Sequence, residues 1–257
     1  MPFTINTYRN LSYGTQPWQI YDAAWPQATG KYNGLITIHG GGWYAGDKED
    51  IWVEAQEYAK TGLVVMNINW RLVAGIGAPT TWPGVLDDIT AAINQIRTFS
   101  CVNLDKIYLC GYSAGGNIAL LHALLRGGHK GVISIAGETD MVQCDTYDWV
   151  LPWGNNPTLI QAVETFAGGN SQAQLQAVSP KHVTVTANPV PRILLYHEIG
   201  DVLLPVEQLD LFYQAKLSQF PQMSINRVVG WGHAQVAANQ ELQRKIITDF
   251  ALEKGVQ

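Results

Sequence analysis

Two hydrophobic patterns alternate along this chain. Short, largely apolar runs typical of buried β-strands occur at Gln19–Asp22, Leu35–His39, Leu63–Ile68, Lys106–Cys110, Gly131–Ile135, Arg192–His197 and Asn226–Val229. Longer stretches with helical character lie between them, at Asp50–Lys60, Pro83–Thr98, Ala114–Arg126, Pro205–Gln219 and Gln235–Glu253. Because strand and helix patterns alternate, the sequence predicts an α/β fold: a mostly parallel, doubly wound sheet of about seven to eight strands with helices on both faces.

One strand-to-helix junction has the pattern G-x-S-x-G, in the stretch Gly111-Tyr112-Ser113-Ala114-Gly115-Gly116. The turn is so tight that only tiny residues fit at Gly111 and Gly115, where the strand and helix backbones approach each other. It exposes the Ser113 hydroxyl at the sheet edge, beside a helix N-terminus that favours developing negative charge. Ser113 is therefore a candidate nucleophile, and the competing interpretation is an ordinary glycine-rich turn.

A second glycine-rich segment, His39-Gly40-Gly41-Gly42-Trp43, follows the strand pattern that ends near His39. Consecutive glycines let backbone N–H groups face an open space, which acyl transfer needs in order to stabilise an oxyanion. We assign this role to the N–H groups of Gly41, Gly42 and Ala114. A phosphate-binding loop is the alternative, but neither the G-x-G-x-x-G spacing nor a Lys-Ser/Thr ending is present. His39 is interpreted as a buried residue that braces the loop.

Two further residues complete a candidate triad. Asp201 lies in the loop after the strand pattern Arg192–His197, at the carboxyl end where α/β sheets place functional groups. Glu198 and Glu207 are the competing carboxylates. His233 lies in Gly230-Trp231-Gly232-His233-Ala234, after the last strand pattern. The order serine, acid, histidine is that of α/β-hydrolases, whereas a lone loop histidine would be read as a surface residue.

These motifs resemble α/β-hydrolases of the esterase/lipase group with an HGGG oxyanion motif, similar to hormone-sensitive-lipase-like carboxylesterases and small acetyl esterases. The likeness extends to Gly46-Asp47-Lys48, Asn69-Trp70-Arg71-Leu72, Pro83 with Asp87 and Asp88, and Ser179-Pro180. It implies an α/β-hydrolase fold and serine hydrolysis of esters, with Ser113 attacking, His233 as base and Asp201 orienting the imidazole. It implies no cofactor and no metal, and it is compatible with a homodimer.

The stretch Val142 to Ala177 interrupts the strand–helix alternation with tryptophans, prolines and a helix-like run near Leu159–Phe166. In this fold such an insertion lies above the sheet edge, so residues 142–180 are predicted to form a small lid or pocket wall. The larger N-terminal cap of many hormone-sensitive-lipase relatives has no counterpart here. The whole chain, 1–257, is predicted to be a single domain around this sheet, with the lid as part of it.

Nine tryptophans are present, and Trp43, Trp153 and Trp231 lie in predicted active-site loops. They are candidate substrate-binding residues together with Tyr112, because flat rings stack on sugar faces; packing in the core or rim is the competing interpretation. The short chain and modest lid favour short acyl groups, including acetyl esters on carbohydrates. An arylformamidase-type amide hydrolase and a non-catalytic binding protein remain alternatives. The intact triple glycine favours the esterase over the former, and the complete triad argues against the latter.

Composition excludes several other classes. The chain has 257 residues, 47% of them hydrophobic, and a net charge of −5 with only 14% charged residues, so no basic surface for nucleic acid is expected. No apolar run is long enough to span a membrane, and no signal peptide is visible, which predicts a cytoplasmic protein. Cys101, Cys110 and Cys144 have no metal-type spacing. Reduced cysteines are expected, with a Cys101–Cys144 disulfide left open.

Overall fold

The computed structural model describes residues 1–73, 82–144, 159–201, 203–229, 233 and 240–254. The strands are β1 (Ile5–Ser12), β2 (Ile20–Pro26), β3 (Tyr32–Ile38), β4 (Leu63–Ile68), β5 (Val102–Tyr112), β6 (Gly131–Ile135), β7 (Arg192–Glu198) and β8 (Ser224–Val228). The helices are α1 (Trp52–Lys60), α2 (Trp82–Ile96), α3 (Ala114–Leu125), α4 (Met141–Cys144), α5 (Leu159–Ala167), α6 (Gln172–Ala177), α7 (Glu207–Lys216) and α8 (Gln240–Ala251). A short 3-10 helix, Lys48–Ile51, precedes α1.

The eight strands form one sheet in the order β1-β2-β4-β3-β5-β6-β7-β8. β1 and β2 pair antiparallel, β2 joins β4 antiparallel, and every later pairing is parallel. The predicted mostly parallel, doubly wound sheet is therefore confirmed. One buried cluster packs α2, α3 and α7 against one face, and a second packs α1 and α8 against the other. Parallel strands buried on both faces explain why β4 and β6 are mostly apolar.

Strand β1 was not among the predicted strands. It lies at the edge of the sheet, and its last six residues, Thr7 to Ser12, are all exposed. An exposed edge strand has no buried face, so its sequence shows no apolar run or clear alternation. Its pairing with β2 is interrupted by an irregularity between Tyr8 and Leu11, which weakens the signal further.

The predicted lid, residues 142–180, contains α5 and α6, and the run Leu159–Phe166 is helical as predicted. Residues 145–158, including Trp153, lie outside the described residues. The base of the insertion is closed by Asp140, whose carboxylate pairs with Lys181 Nζ at 2.7 Å and with His182 Nε2 at 3.0 Å. The Met141 N–H also donates to Ser179 Oγ at 2.8 Å, so both ends of the lid are held together.

The described cysteine thiols are unpaired: Cys101 and Cys110 are both free. The disulfide between Cys101 and Cys144 that the sequence left open is therefore not formed. Cys110 is buried in β5, as predicted, and burial raises the pKa of its thiol to about 12. Within the described ranges, no helix is long and apolar enough to cross a membrane.

A pair of buried histidines makes fold stability sensitive to acid. His122 on α3 and His129 lie with ring centroids 5.4 Å apart, and neither His129 nitrogen has a hydrogen-bond partner. Burial lowers the pKa of His129 from 6.5 to about 3, and burial with the adjacent His129 lowers the pKa of His122. Between pH 6.5 and about 3 the unfolded chain binds protons that the folded chain does not, so stability falls on acidification.

We therefore expect the two histidines to lower the free energy of unfolding below pH 6.5, by up to about 1.4 kcal/mol per pH unit for each neutral histidine, while the raised pKa of Glu138 opposes this loss down to about pH 4.5. Urea denaturation at a series of pH values measures this slope. In the His129→Leu variant the slope between pH 6 and 4 should be shallower by about one proton equivalent. An unchanged slope in that variant would assign the acid sensitivity to other groups.

Candidate active site

Ser113 lies between the last residue of β5 and the first residue of α3, with φ 53° and ψ −123°. This left-handed backbone is rare for a residue with a side chain, and such strain concentrates at functional sites. The turn is held on both sides, because the Ser113 N–H donates to Ile135 O at 2.8 Å and Ser113 O accepts from Asn117 N at 3.0 Å. The sheet and the helix together thus fix the direction of the serine side chain.

The flanking glycines are required by backbone contact. A Cβ at Gly111 would lie 2.0 Å from Gly115 O, and one at Gly115 would lie 2.4 Å from Ile38 O. Both obstacles are backbone atoms, which cannot rotate away. The tight turn inferred from the G-x-S-x-G pattern is therefore present, and only glycine permits β3, β5 and α3 to approach so closely.

The structure brings Ser113, His233 and Asp201 together. His233 Nε2 lies 2.8 Å from Ser113 Oγ, and His233 Nδ1 lies 2.8 Å from Asp201 Oδ2. An ionised carboxylate only accepts hydrogen bonds, so we assign the proton of a neutral His233 to Nδ1. Nε2 then has a free lone pair facing the serine hydroxyl, which is the arrangement that proton abstraction requires.

Asp201 is a strongly stabilised anion. Burial alone raises the pKa of its carboxyl, but hydrogen bonds from His197 and His233 outweigh burial and hold the pKa well below its usual value. The second oxygen, Oδ1, accepts from the N–H groups of Leu203 and Leu204, each at 2.9 Å. The carboxylate is thus fixed in position as well as in charge.

The two competing carboxylates are not in contact with His233. Glu207 is exposed at the start of α7, and Glu198 is buried with no hydrogen-bond partner for either oxygen. Burial and the charge of Asp201 raise the pKa of Glu198, and the same two causes raise the pKa of buried Glu138 to about 8. Both neighbours take up a proton more readily than Asp201, so negative charge is concentrated on the acid that contacts the imidazole.

The glycine loop after β3 adopts left-handed backbone conformations, with φ 115° at Gly41 and 58° at Gly42. A Cβ at Gly41 would lie 2.0 Å from Ala45 O, and one at Gly40 would lie 3.1 Å from Ser113 Cβ, so the loop is tightly wound beside the serine. Among the described residues, the N–H groups of Gly41, Gly42 and Ala114 have no hydrogen-bond acceptor. They remain candidate oxyanion donors.

His39 is placed as a bracing residue. Its side chain is buried, its Nδ1 lies 2.7 Å from Gly40 O, and its ring stacks on Trp70 at a centroid distance of 5.2 Å. Burial lowers the pKa of His39, which favours the neutral ring. A neutral Nδ1–H donating to Gly40 O supports the turn into the glycine loop.

The candidate substrate-binding rings occupy different environments. Trp43 is fully buried and stacks on Phe166 of α5, with ring centroids 5.1 Å apart. It offers no face to a sugar, so its assignment as a substrate platform is corrected: it joins the glycine loop to α5. Tyr112 is partly buried, and its hydroxyl donates to the backbone oxygen of His233, which ties the histidine to the nucleophile turn. Trp153 and Trp231 lie outside the described residues.

Sequence reasoning missed one residue of this site. His197, interpreted as the end of a strand, has its Nε2 3.1 Å from Asp201 Oδ2 and 2.8 Å from Leu204 O. The signal was its position four residues before the acid at the end of β7, a spacing that lets the loop fold the carboxylate back over it. In the part of the chain that the structure describes, no three His, Cys, Asp or Glu side chains are grouped to hold a metal ion.

Comparisons with known proteins agree with this fold. The BD-FAE family profile matches residues 19–216, well over half of the chain. A probable isoprenylcysteine alpha-carbonyl methylesterase of Oryza sativa subsp. japonica is 25% identical over 244 residues, covering 83% of this chain and 53% of the relative. The chain thus spans about half the length of this curated relative.

Among solved structures, a truncated carbohydrate esterase from gut microbiota superposes with a TM-score of 0.77 at 18% identity, covering 96% of this chain and 95% of the other. Brefeldin A esterase, described as a bacterial homologue of human hormone-sensitive lipase, superposes with a TM-score of 0.74 at 17% identity, covering 97% and 77%. At identities this low, the superpositions establish the shared fold alone. The chain therefore belongs to the BD-FAE family and has the α/β-hydrolase fold of these esterases.

Proposed function

We propose that the protein is a serine carboxylesterase that hydrolyses short-chain acyl esters through an acyl-enzyme. One observation supports this most directly: Ser113 Oγ, the His233 imidazole and Asp201 form a continuous chain with both links at 2.8 Å. Serine alone is a weak nucleophile at neutral pH, and it needs a positioned base of this kind. Among the described residues the N–H groups of Gly41, Gly42 and Ala114 have no acceptor; the two glycines lie in the loop after β3, and Ala114 begins α3 directly after the serine.

The reaction follows from these roles. His233 Nε2 takes the Ser113 proton as Oγ attacks the ester carbonyl, and the carbonyl oxygen becomes an oxyanion that the N–H donors stabilise. Each such donor is typically worth about 3 kcal/mol of transition-state stabilisation. The imidazolium returns the proton to the leaving alcohol, and Asp201 stabilises its positive charge. Water, deprotonated by the same base, then releases the acid and regenerates the serine.

We extend the proposal to acetyl esters on carbohydrates as the substrate class. The similar fold of a carbohydrate esterase is consistent with it. Burial of Trp43 removes one aromatic platform from the argument, so stacking on a sugar depends on Trp153, Trp231 and Tyr112. The predicted lid, residues 142–180, is small, and we take its size to favour small acyl groups.

Hydrolysis of p-nitrophenyl acetate, butyrate and octanoate tests the proposed reaction, with acetylated xylan and N-formylkynurenine as further substrates. Turnover that falls as the acyl chain lengthens is the expected result, and release of acetate from xylan would establish the carbohydrate class. Turnover of N-formylkynurenine with no turnover of any ester would replace the esterase with an arylformamidase-type hydrolase. A folded protein that hydrolyses none of these substrates would contradict the proposal.

A further inference from the structure

Asp201 is contacted by two histidines, and only one of them faces the serine. His197 stands at the end of β7 and is 1% exposed. Its Nε2 lies within reach of two acceptors, Leu204 O at 2.8 Å and Asp201 Oδ2 at 3.1 Å. Its Nδ1 is buried and has no hydrogen-bond partner. All of its polar contacts are therefore made through one nitrogen.

The two acceptors determine where the proton of His197 lies. A carbonyl oxygen and an ionised carboxylate can only accept, so Nε2 must carry a hydrogen, which donates to Leu204 O at 2.8 Å and lies beside Asp201 Oδ2, with Nε2 3.1 Å from that oxygen. Because Nδ1 has no hydrogen-bond partner, the ring contributes a single N–H donor and otherwise fills space. An amide N–H placed at the same point would supply everything polar that the imidazole supplies.

This donor closes a ring of hydrogen bonds around the acid. Asp201 Oδ1 accepts from the N–H groups of Leu203 and Leu204, and Leu204 O accepts from His197. The loop that holds the acid is thereby tied back to the end of β7. On Oδ2, His197 shares the carboxylate charge with His233, whose Nδ1 lies closer, at 2.8 Å against 3.1 Å.

We infer that His197 is a positioning residue of the proposed serine esterase: its Nε2–H holds Asp201 in place and moderates the hydrogen bond that Asp201 makes with His233. The inference rests on the proposed function for its kinetic consequences, and its structural part stands on the two contacts of Nε2, with Leu204 O at 2.8 Å and with Asp201 Oδ2 at 3.1 Å. His197 contacts neither the serine nor the substrate, so its effect on the reaction passes through Asp201.

The other titratable groups near His197 and Asp201 come from four strands or the loops that follow them. Glu198 adjoins His197 on β7, Glu138 follows β6, Tyr112 ends β5, and His233 comes from the loop after β8. Glu198 and Glu138 act on Asp201 only through charge, since neither makes a hydrogen bond to it. Removing the His197 donor therefore leaves His233 as the only side chain that donates to Oδ2 among the described residues.

Two variants distinguish the N–H donor of His197 from the volume of its side chain. His197→Met keeps a side chain of similar size without a donor, and His197→Gln places an amide N–H near the position of Nε2. In His197→Met we expect kcat for p-nitrophenyl acetate to fall by roughly 10-fold to 100-fold as the acid loses its fixed position. In this variant Asp201 no longer shares its charge with His197 and acts on His233 alone, so the acid limb of the kcat/KM profile should move to higher pH. His197→Gln should keep most of the wild-type kcat and an acid limb close to that of the wild type.

A spectroscopic measurement tests the hydrogen bond independently of turnover. The proton on His233 Nδ1 gives a far-downfield NMR resonance when it is bound to a carboxylate, and in His197→Met it should move further downfield because the competing donor is gone. His197→Gln should resemble the wild type. An unmoved resonance and acid limb in His197→Met, or equal losses in Met and Gln variants of unchanged thermal midpoint, would overturn the inference. Absence of ester turnover in the wild type would instead contradict the proposed function and leave the NMR result interpretable.

Discussion

Replacing Ser113 with alanine should lower kcat for p-nitrophenyl acetate by roughly 10⁴-fold or more, because the only oxygen within reach of His233 Nε2 on the nucleophile turn is removed. Folding should be little affected. Alanine keeps the Cβ and so the same strained backbone, with φ 53°, and the loss of one serine–histidine hydrogen bond is worth about 1 kcal/mol. Steady-state kinetics on purified protein, with denaturant unfolding alongside, measures both effects.

Two variants serve as controls for this prediction. Ser134→Ala removes another buried serine hydroxyl, one that has no hydrogen-bond partner, and activity should be retained. Ser113→Gly should be as inactive as Ser113→Ala but more stable by about 1 kcal/mol, because glycine adopts the left-handed conformation without strain. Substantial turnover in rigorously purified Ser113→Ala would exclude Ser113 as the nucleophile.

The parts of the fold that the sequence predicted well are those with local physical requirements. The turn at Ser113 needs glycine at two positions because backbone atoms lie 2.0 Å and 2.4 Å from where a Cβ would be, and any chain making this turn must show that pattern. Buried parallel strands such as β4, in which Asn67 is the one polar residue, must be mostly apolar. Edge strand β1 has neither requirement, since it is exposed and pairs with one neighbour, and it left no pattern to recognise.

The candidate site likewise combines features that the sequence predicted with features that depend on the folded chain. Three carboxylates were available near the end of β7, and sequence order favoured Asp201, but the contact with His233 joins residues 32 positions apart and depends on the folded loop. His197 was invisible as a contributor because its role arises from how residues 201–204 fold back on β7. Trp43 lies beside the glycine loop in sequence, yet its φ of 65° accompanies a ring packed against α5. Proximity along the chain does not reveal which way a ring faces.

The Trp43 ring connects the glycine loop to α5. Trp43 stacks on Phe166, and Trp43 O also accepts from Val73 N at 2.8 Å, so the loop bearing Gly41 and Gly42 is held by α5 on one side and by the segment after β4 on the other. The candidate oxyanion donors therefore belong to a preorganised part of the structure. Preorganisation is what makes such donors effective, since no reorganisation is needed as charge develops.

The largest effect on stability is expected at Gly111. In Gly111→Ala the new Cβ would lie 2.0 Å from Gly115 O, a backbone atom that can move only if β5 and α3 separate. We expect a loss of more than about 4 kcal/mol in the free energy of unfolding, which is exceptional for a single substitution. Denaturant unfolding should show a much lower midpoint with a similar slope.

Two further glycine-to-alanine substitutions provide a graded comparison for this prediction. In Gly30→Ala the nearest atoms belong to the movable Tyr32 side chain, at 3.3 Å, so stability should change by less than about 1 kcal/mol. In Gly116→Ala the nearest atom is the Ser134 hydroxyl at 2.8 Å, with Gly137 Cα at 3.0 Å, so an intermediate loss is expected. The losses should increase from Gly30 to Gly116 to Gly111. If Gly111→Ala unfolds at the same midpoint as Gly30→Ala, the strand and helix are not in backbone contact at the nucleophile turn, and the proposed position of Ser113 would have to be abandoned.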